Sequence, residues 1–279
     1  MSGLAQPELE REREGHVGLV YRSPAVRDER LAEFVGTGLQ RGEQVVLMAG
    51  ADEHRWQASL ALRGVDTDGA ARQGALATLD PPGFYPARGQ AALVDRMLQT
   101  GRPGLRLVAH AEVALGYLGE AGYRRVEDEM EELCATRPVA LLCQLQADTA
   151  LGAEQVPLLP AVIETHGRSL RGPCVTVGRD SSGVHLTGEL DLACGGLVEA
   201  VLRREGQDGA EDGAAAGKGI VVDLSGLDFL DVAGFRALLR GTERWRGRGG
   251  TLVLAGAHGM VRRVIKILGG EGLGDVILR

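Results

Sequence analysis

No run of apolar residues in this 279-residue chain approaches the about 18 needed to cross a bilayer. The polar start from Met1 to Gly15 likewise lacks the apolar core of a signal peptide. Both absences predict a cytoplasmic protein with no membrane partner. An excess of basic charge is also missing: 31 Lys and Arg stand against 38 Asp and Glu, a net charge of −7. Without a broad basic field the chain is not expected to bind nucleic acid directly. Its four cysteines (Cys134, Cys143, Cys174, Cys194) form no C-x-x-C pair, and its six histidines (His16, His54, His110, His166, His185, His258) show no i, i+4 pairing. No metal site and no cofactor is therefore expected, and the cysteines, each inside an apolar pattern, read as buried reduced thiols. There is no internal repeat.

What is present fits two domains. The length exceeds one ordinary compact domain, and a hydrophobic content of 44% supplies two cores. After a polar tail over residues 1–15, apolar strand patterns (16–21, 44–49, 76–79, 104–109, 139–143) alternate with helical ones. Leu31, Phe34, Val35, Gly38 and Leu39 mark one amphipathic helix, 53–62 and 89–100 are two more, and Val126, Met130 and Leu133 give 123–136 an apolar face. Within that last helix the acidic run Glu127 to Glu132 reads as a solvated face. Such alternation predicts a mostly parallel sheet with helices on both faces. A short apolar helix over 156–164 leads to a domain boundary near His166 to Ser169, giving domains 16–166 and 167–279. The Gly/Ala/Asp-rich stretch Gly206 to Lys218 cannot bury enough apolar area to offset its ordering entropy. It is expected to be a flexible loop within the second domain, with an interdomain linker as the competing reading.

The second domain begins with strands 174–178 and 184–188 and a helix over 192–205. Strand 219–224, helix 232–246, strand 251–255, helix 258–268 and strand 275–278 follow. Ile220-Val-Val-Asp-Leu224 reads as a buried strand and Ser225-Gly226 as a turn. Asp231 stands where a helix N-cap should stand, and Phe235, Leu238 and Leu239 give the helix after it one apolar face. Gly188-Glu-Leu-Asp191, Asp223-Leu-Ser-Gly-Leu227 and Gly249-Gly-Thr-Leu-Val-Leu254 follow one another in an order and spacing similar to those of the STAS domain, the fold of bacterial anti-sigma factor antagonists. That resemblance implies docking on a partner through Asp191, Asp228, Asp231, Val232, Ala233, Gly234 and Phe235. In the family's regulatory members a Ser or Thr after the motif's aspartate is phosphorylated, whereas this chain has Val232 and Ala233. No phosphate is expected there; Ser225 is the nearest alternative acceptor. Asp231 keeps two readings, an ordinary cap or part of a docking surface.

Residues 16–165 resemble the MEDS domain, a sensory module whose proposed ligands are small hydrocarbon derivatives. The resemblance rests on His16-Val-Gly-Leu-Val-Tyr21, on Gly38-Leu-Gln-Arg-Gly-Glu43 before a strand, and on Glu127 ahead of Pro138-Val-Ala-Leu-Leu-Cys143. Gln144-Leu145-Gln146 departs from the Pro-Tyr-Asp expected after the cysteine. The stretch Gly38 to Gly50 also looks like the entry to a RecA-like phosphate loop, but Ala51-Asp-Glu-His-Arg55 lacks the glycines and the lysine, and Asp52 and Glu53 would repel phosphates. The fold class read from the sequence is therefore α/β: an N-terminal RecA-like, doubly wound, mostly parallel domain without a Walker A loop, and a C-terminal STAS α/β domain. In an open parallel sheet a ligand sits beyond the carboxyl ends of the strands, where Tyr21, Asp52, His54, Trp56, Tyr85, His110 and Glu112 are candidates. Taken singly each has a plainer reading, Trp56 and Tyr85 as covers of core edges, His54 and Glu112 as solvated side chains. His16 lies at the wrong end of its strand for such a site and suits a capping or packing role.

The expected function is that of a cytosolic signalling protein, anti-sigma factor antagonist-like and not an enzyme. A sensor-like domain modulates a STAS domain that binds an anti-sigma factor or related serine-kinase-type regulator. The alternatives are a small-molecule-binding structural hub, or an enzyme built on the N-terminal domain from residues distant in sequence. Self-association is left open.

Overall fold

The structure, a computed structural model, describes residues 15–48, 53–146, 162–163, 165–166, 169–172, 174–211 and 219–279. The expected tail before residue 15, Asp52, most of the helix expected over 156–164 and positions 212–218 of the expected loop lie outside the described residues. The chain divides into two compact units, Met1–Val17 with Ser23–Leu145, and Gly18–Arg22 with Gln146–Arg279.

In the first unit, strands β2 (Gln44–Met48), β3 (Leu76–Leu79), β4 (Leu105–His110) and β5 (Val139–Gln146) lie in the order β5-β4-β2-β3. Every pairing among them is parallel. Parallel neighbours need crossovers, and helices supply them: α1 (Pro24–Gln40), α2 (Glu53–Leu62), α3 (Thr67–Arg72), α4 (Pro81–Phe84), α5 (Gln90–Leu98) and α6 (Ala111–Thr136). With helices on the sheet's faces, β2 is buried along its whole length and β4 and β5 along all but their last residue, which is why these strands read as unbroken apolar runs. Helix α1 starts as its sequence dictates. The Ser23 hydroxyl accepts from Ala25 N at 3.2 Å, Pro24 opens the first turn, and Leu31, Phe34, Val35 and Gly38 face inward. Helix α6 begins at Ala111, well before the expected start at 123, and is broken at Gly119 (φ 67°, ψ 169°). The strand β1 (His16–Tyr21) gives His16 and Val17 to this unit and its remaining residues to the second.

In the second unit, β6 (Ser169–Arg171), β7 (Val175–Asp180) and β8 (Gly183–Leu190) precede α7 (Gly195–Glu211). Then come β9 (Gly219–Leu230), α8 (Val232–Gly241), α9 (Glu243–Arg246), β10 (Thr251–Ala255), α10 (Gly259–Ile267) and β11 (Val276–Leu278). The strands run β11-β10-β9-β8-β7-β6. β7 and β8 form an antiparallel hairpin, β6 pairs antiparallel with β7, and β8 to β11 are parallel. Gly18 and Leu19 pair parallel with Leu170 and Arg171.

Three expectations need correction here. Ser225-Gly226 does not end its strand: β9 continues to Leu230, and register shifts in the facing stretch His185 to Glu189 absorb the irregularity, while Asp223 Oδ1 takes the Ser225 N–H at 2.8 Å. The expected helix 232–246 is two helices. Its break lies at Thr242, whose hydroxyl donates back to Leu238 O at 2.9 Å. Finally, the helix before the Gly/Ala/Asp-rich stretch runs on to Glu211, so the first residues of the expected loop are helical.

Candidate functional site

Two constellations stand out, one in each unit. In the second unit, β8 and β9 end side by side, with Glu189 opposite Phe229 and Leu190 opposite Leu230. Asp231 N then donates to Leu190 O at 3.2 Å, and the Asp231 carboxylate caps α8 by accepting from Gly234 N at 2.7 Å. The cap read from the sequence is thus present. Gly234 sits so close to Leu190 that a Cβ there would lie 2.2 Å from Leu190 O, so no other residue fits without moving the turn. Both strands leave this end exposing apolar side chains: Leu192 (75% exposed) after β8, and Phe229 (43%) and Val232 (46%) around Asp231. Asp228 is exposed as well, Asp191 and Ala233 are half-buried, and Ser225 lies open in β9.

The expected contact set narrows accordingly. Gly234 and Phe235 are buried, Phe235 (3% exposed) because it is one of the apolar residues by which α8 packs inward, so neither offers a docking surface. Leu192 and Phe229 are exposed apolar side chains at the same end. Alternation along β9 carried no signal for Phe229, because Leu227 two residues before it is buried, and Leu192 carried none beyond its position after Asp191. Asp191 is also committed locally, since its Oδ1 accepts from Ala193 N at 2.8 Å and Cys194 N at 3.1 Å.

Beside that turn the expectation of four buried thiols fails for one pair. Cys174 and Cys194 form a disulfide with Cα atoms 6.5 Å apart, although 20 residues separate them in sequence. The β7–β8 hairpin brings them together, with Val175 opposite Gly188 and Glu189 N donating to Cys174 O at 2.8 Å. Asp191 completes a trio whose ligand atoms lie within 4.8 Å of one another. Cys134 and Cys143 are unbridged.

In the first unit, the acidic run of α6 is a solvated face only in part: Asp128 and Glu132 are exposed, but Glu127 is not. Glu127 (2% exposed) is buried and its Oε2 lies 2.9 Å from His16 Nε2, while Glu131 Oε2 lies 3.2 Å from His16 Nδ1. Glu129 reaches across to accept from Ala91 N at 2.8 Å, tying α5 to α6. Burial alone would pull the His16 imidazole down, but hydrogen bonds and charges of Glu127 and Glu131 outweigh it and lift it to about 9. On the other side of Glu127 stands Cys143, its Sγ 3.7 Å from Glu127 Oε1 and 3.8 Å from the Tyr123 hydroxyl. Burial first, and then the Glu127 charge, push the Cys143 thiol well above its ordinary value. Tyr85 is pushed the same way by burial and by the nearby Cys143 and Glu127, and Cys134 is pushed up to about 12.

Of the ligand candidates named from the sequence, Tyr85 and Glu112 come near this cluster, the latter through its charge acting on Cys143. Tyr85 stacks on Tyr117 (6.4 Å between centroids, 23° between planes) at the wall of a cleft of about 500 Å³ that Gln90, Arg125 and Glu129 also line. Trp56 is buried in the core, His110 is half-buried at the end of β4, and Glu112 is exposed in the first turn of α6. Tyr21 is buried in the part of β1 grouped with the second unit, His54 belongs to α2, and Asp52 is outside the described residues. A comparable cleft of about 550 Å³ around Gly42, Gln73 and Arg102 opens at the amino ends of β2 and β3, the wrong end for a ligand of an open parallel sheet. Sequence reasoning missed Glu127 and Cys143 as a pair; their 16-residue separation places them on neighbouring elements, and that was the available signal.

Residues 15–166 match the family model described as MEDS, the MEthanogen/methylotroph, DcmR Sensory domain. The chain belongs to the MEDS family. Residues 175–278 match the model described as Mlab, STAS domain, so the sensory module precedes a STAS domain in one chain. This pairing gives the protein a signalling or regulatory role of the anti-sigma factor antagonist kind. A search of curated proteins found no match. Among solved structures the chain is similar to a KaiC-like protein, PH0186, from the hyperthermophilic archaeon Pyrococcus horikoshii OT3, with 17% identity, a TM-score of 0.42 and coverage of 63% of this chain and 79% of that one. No helix among the described residues is long and apolar enough to cross a membrane.

Proposed function

We propose that this MEDS–STAS protein is a cytosolic regulator whose STAS unit docks on an anti-sigma factor or related serine-kinase-type regulator through the end formed by Leu192, Asp228, Phe229 and Val232. The MEDS unit, binding a small organic ligand near Tyr85, modulates that docking. Docking is not switched by phosphate at the usual position. The observation that carries this reading is Val232: it follows the capping Asp231, it is 46% exposed, and it offers a partner an apolar side chain with no hydroxyl to modify. No catalysis belongs to the proposal. The Cys143 thiol, raised by burial and then by Glu127, stays protonated at neutral pH and makes a poor nucleophile.

The test is Val232→Asp in the full chain. A carboxylate in the first turn of a helix is tolerated or favoured by the helix dipole, so the fold should hold. In an apolar contact the same carboxylate is stranded without a partner, at a cost of several kcal/mol. Partner affinity should fall at least tenfold by calorimetry while the melting temperature stays within about a degree; unchanged affinity would place the docking surface elsewhere. Incubation with a kinase-type anti-sigma factor and ATP should leave the segment 225–235 unlabelled on phosphopeptide mapping, and label on Ser225 would restore a phosphate switch.

A further inference from the structure

The geometry points to Cys174 and Cys194 as a reversible thiol–disulfide site, modified by low-molecular-weight disulfides, that sets the conformation of the docking end. As a control of docking this rests on the function proposed above; as a chemical site it does not. The two sulfurs are brought together by backbone pairing that does not depend on the bridge. Val175 pairs with Gly188 and Cys174 O accepts from Glu189 N at 2.8 Å, so the ladder positions the pair. A Cα separation of 6.5 Å lies inside the range that a disulfide spans. The reduced form is also provided for: Asp191 Oδ1 lies 3.3 Å from Cys174 Sγ, an acceptor for that thiol, and Cys174 N donates to Cys194 Sγ at 3.3 Å.

The two cysteines differ in the way a two-step exchange requires. Cys174 is half-buried, so it is the more accessible of the two, whereas Cys194 is fully buried. Cys194 directly precedes α7, where Leu197 N donates to its carbonyl at 3.1 Å, and a helix start favours a thiolate. The Cys174 thiolate attacks one sulfur of a small disulfide RSSR. The reagent's S–S bond breaks, a mixed disulfide forms on Cys174 and RS⁻ leaves. The Cys194 thiolate then attacks the Cys174 sulfur and expels the second RS⁻, so the protein gives up two protons and two electrons, both carried away on two RSH. Reduction by thiols runs the same steps backwards.

The bridge is coupled to the docking end because nothing cushions the two. Asp191, beside Cys174 Sγ, also holds the Ala193 and Cys194 N–H groups, so the sulfur pair and the turn 191–194 share one carboxylate. Leu190 is pressed against Gly234, and a Cβ on Gly195 would lie 3.3 Å from Ala237 Cβ, so the turn packs directly on α8. Leu192, the most exposed apolar residue of this end, lies within the turn. In a chain without the hydroxyl at Val232, this pair supplies a covalent control at the same surface.

The full chain should be equilibrated with mixtures of reduced glutathione and glutathione disulfide, its free thiols alkylated, and the peptides weighed. A 174–194 link should form and dissolve reversibly across the series, with Cys143 unmodified in the native protein. Hydrogen exchange of residues 190–195 and 231–237 should slow at least threefold on oxidation, and Cys174→Ser should remove that difference. The comparison of oxidised with reduced wild-type chain needs no variant and no partner. Thiols that stay alkylatable at every ratio, or a tightly held zinc ion whose chelation alone frees them, would overturn the site. Identical exchange at 231–237 in both redox states would overturn the coupling. A redox-dependent exchange with an unaffected Val232→Asp complex would support the site and sink only the docking reading.

Discussion

The first unit hides charge and the second displays apolar surface, and each choice is costly in water. Glu127, midway along α6, and His16 are an ion pair with almost no solvent contact, whereas Leu192, Phe229 and Val232 stand out of a unit whose other large apolar residues are mostly buried. A buried pair contributes little net stability beyond apolar packing, yet removing one partner is expensive. An exposed apolar end forgoes the roughly 25 cal/mol per Å² that burial would contribute, until a partner covers it. The contrast teaches where to look for function in each half: in the MEDS unit, at groups whose charge state the fold enforces; in the STAS unit, at side chains the fold leaves unpacked.

The comparison breaks most sharply at Glu127. Glu127→Leu removes the buried carboxylate beside the His16 imidazole, and should lower the stability of the full chain by about 3 kcal/mol in urea unfolding. A loss below about 1 kcal/mol would show that the buried pair does not organise the first unit. The pH dependence is a slightly smaller effect with a definite sign. The imidazole of His16 has a folded-state value raised from 6.5 to about 9, so its contribution is complete below 6.5 and disappears as pH rises through about 9. Stability should fall by a few kcal/mol between pH 6.5 and 9.5, and Cys143, also held up by burial, acts in the same direction. His16→Gln should flatten most of this slope, and an unchanged slope would assign it to the thiol. The smallest effect sharpens the other side: Asp231→Ala removes the cap on Gly234 N and should cost about 1 kcal/mol. No measurable loss would mean that Asp231 serves docking alone.

Legibility in the sequence followed the range of the interactions. Asp231 was readable because a cap is decided within three residues, and the strands of the first unit were readable because burial on two faces writes itself as apolar runs; β6, three residues long, left no such run and was not read. Ser225-Gly226 misled because a turn signal is local, while β8 holds the strand through its register shifts. Glu127 misled because a charged side chain looks solvated until His16 is placed beside it. Cys174 and Cys194 were invisible as a pair for the same reason, since only the β7–β8 hairpin makes neighbours of them.

A helix normally carries one angular phase from end to end, about 100° per residue, so each side chain's direction fixes all the others. Gly119, at φ 67° and ψ 169°, resets that phase within α6. Tyr117 before the break and Tyr123 after it are therefore aimed independently, the first half-exposed against Tyr85 at the cleft and the second fully buried against Cys143. That torsion pair is open to glycine and almost closed to other residues. A single atom-sized absence, the missing Cβ of residue 119, allows one helix to face two environments.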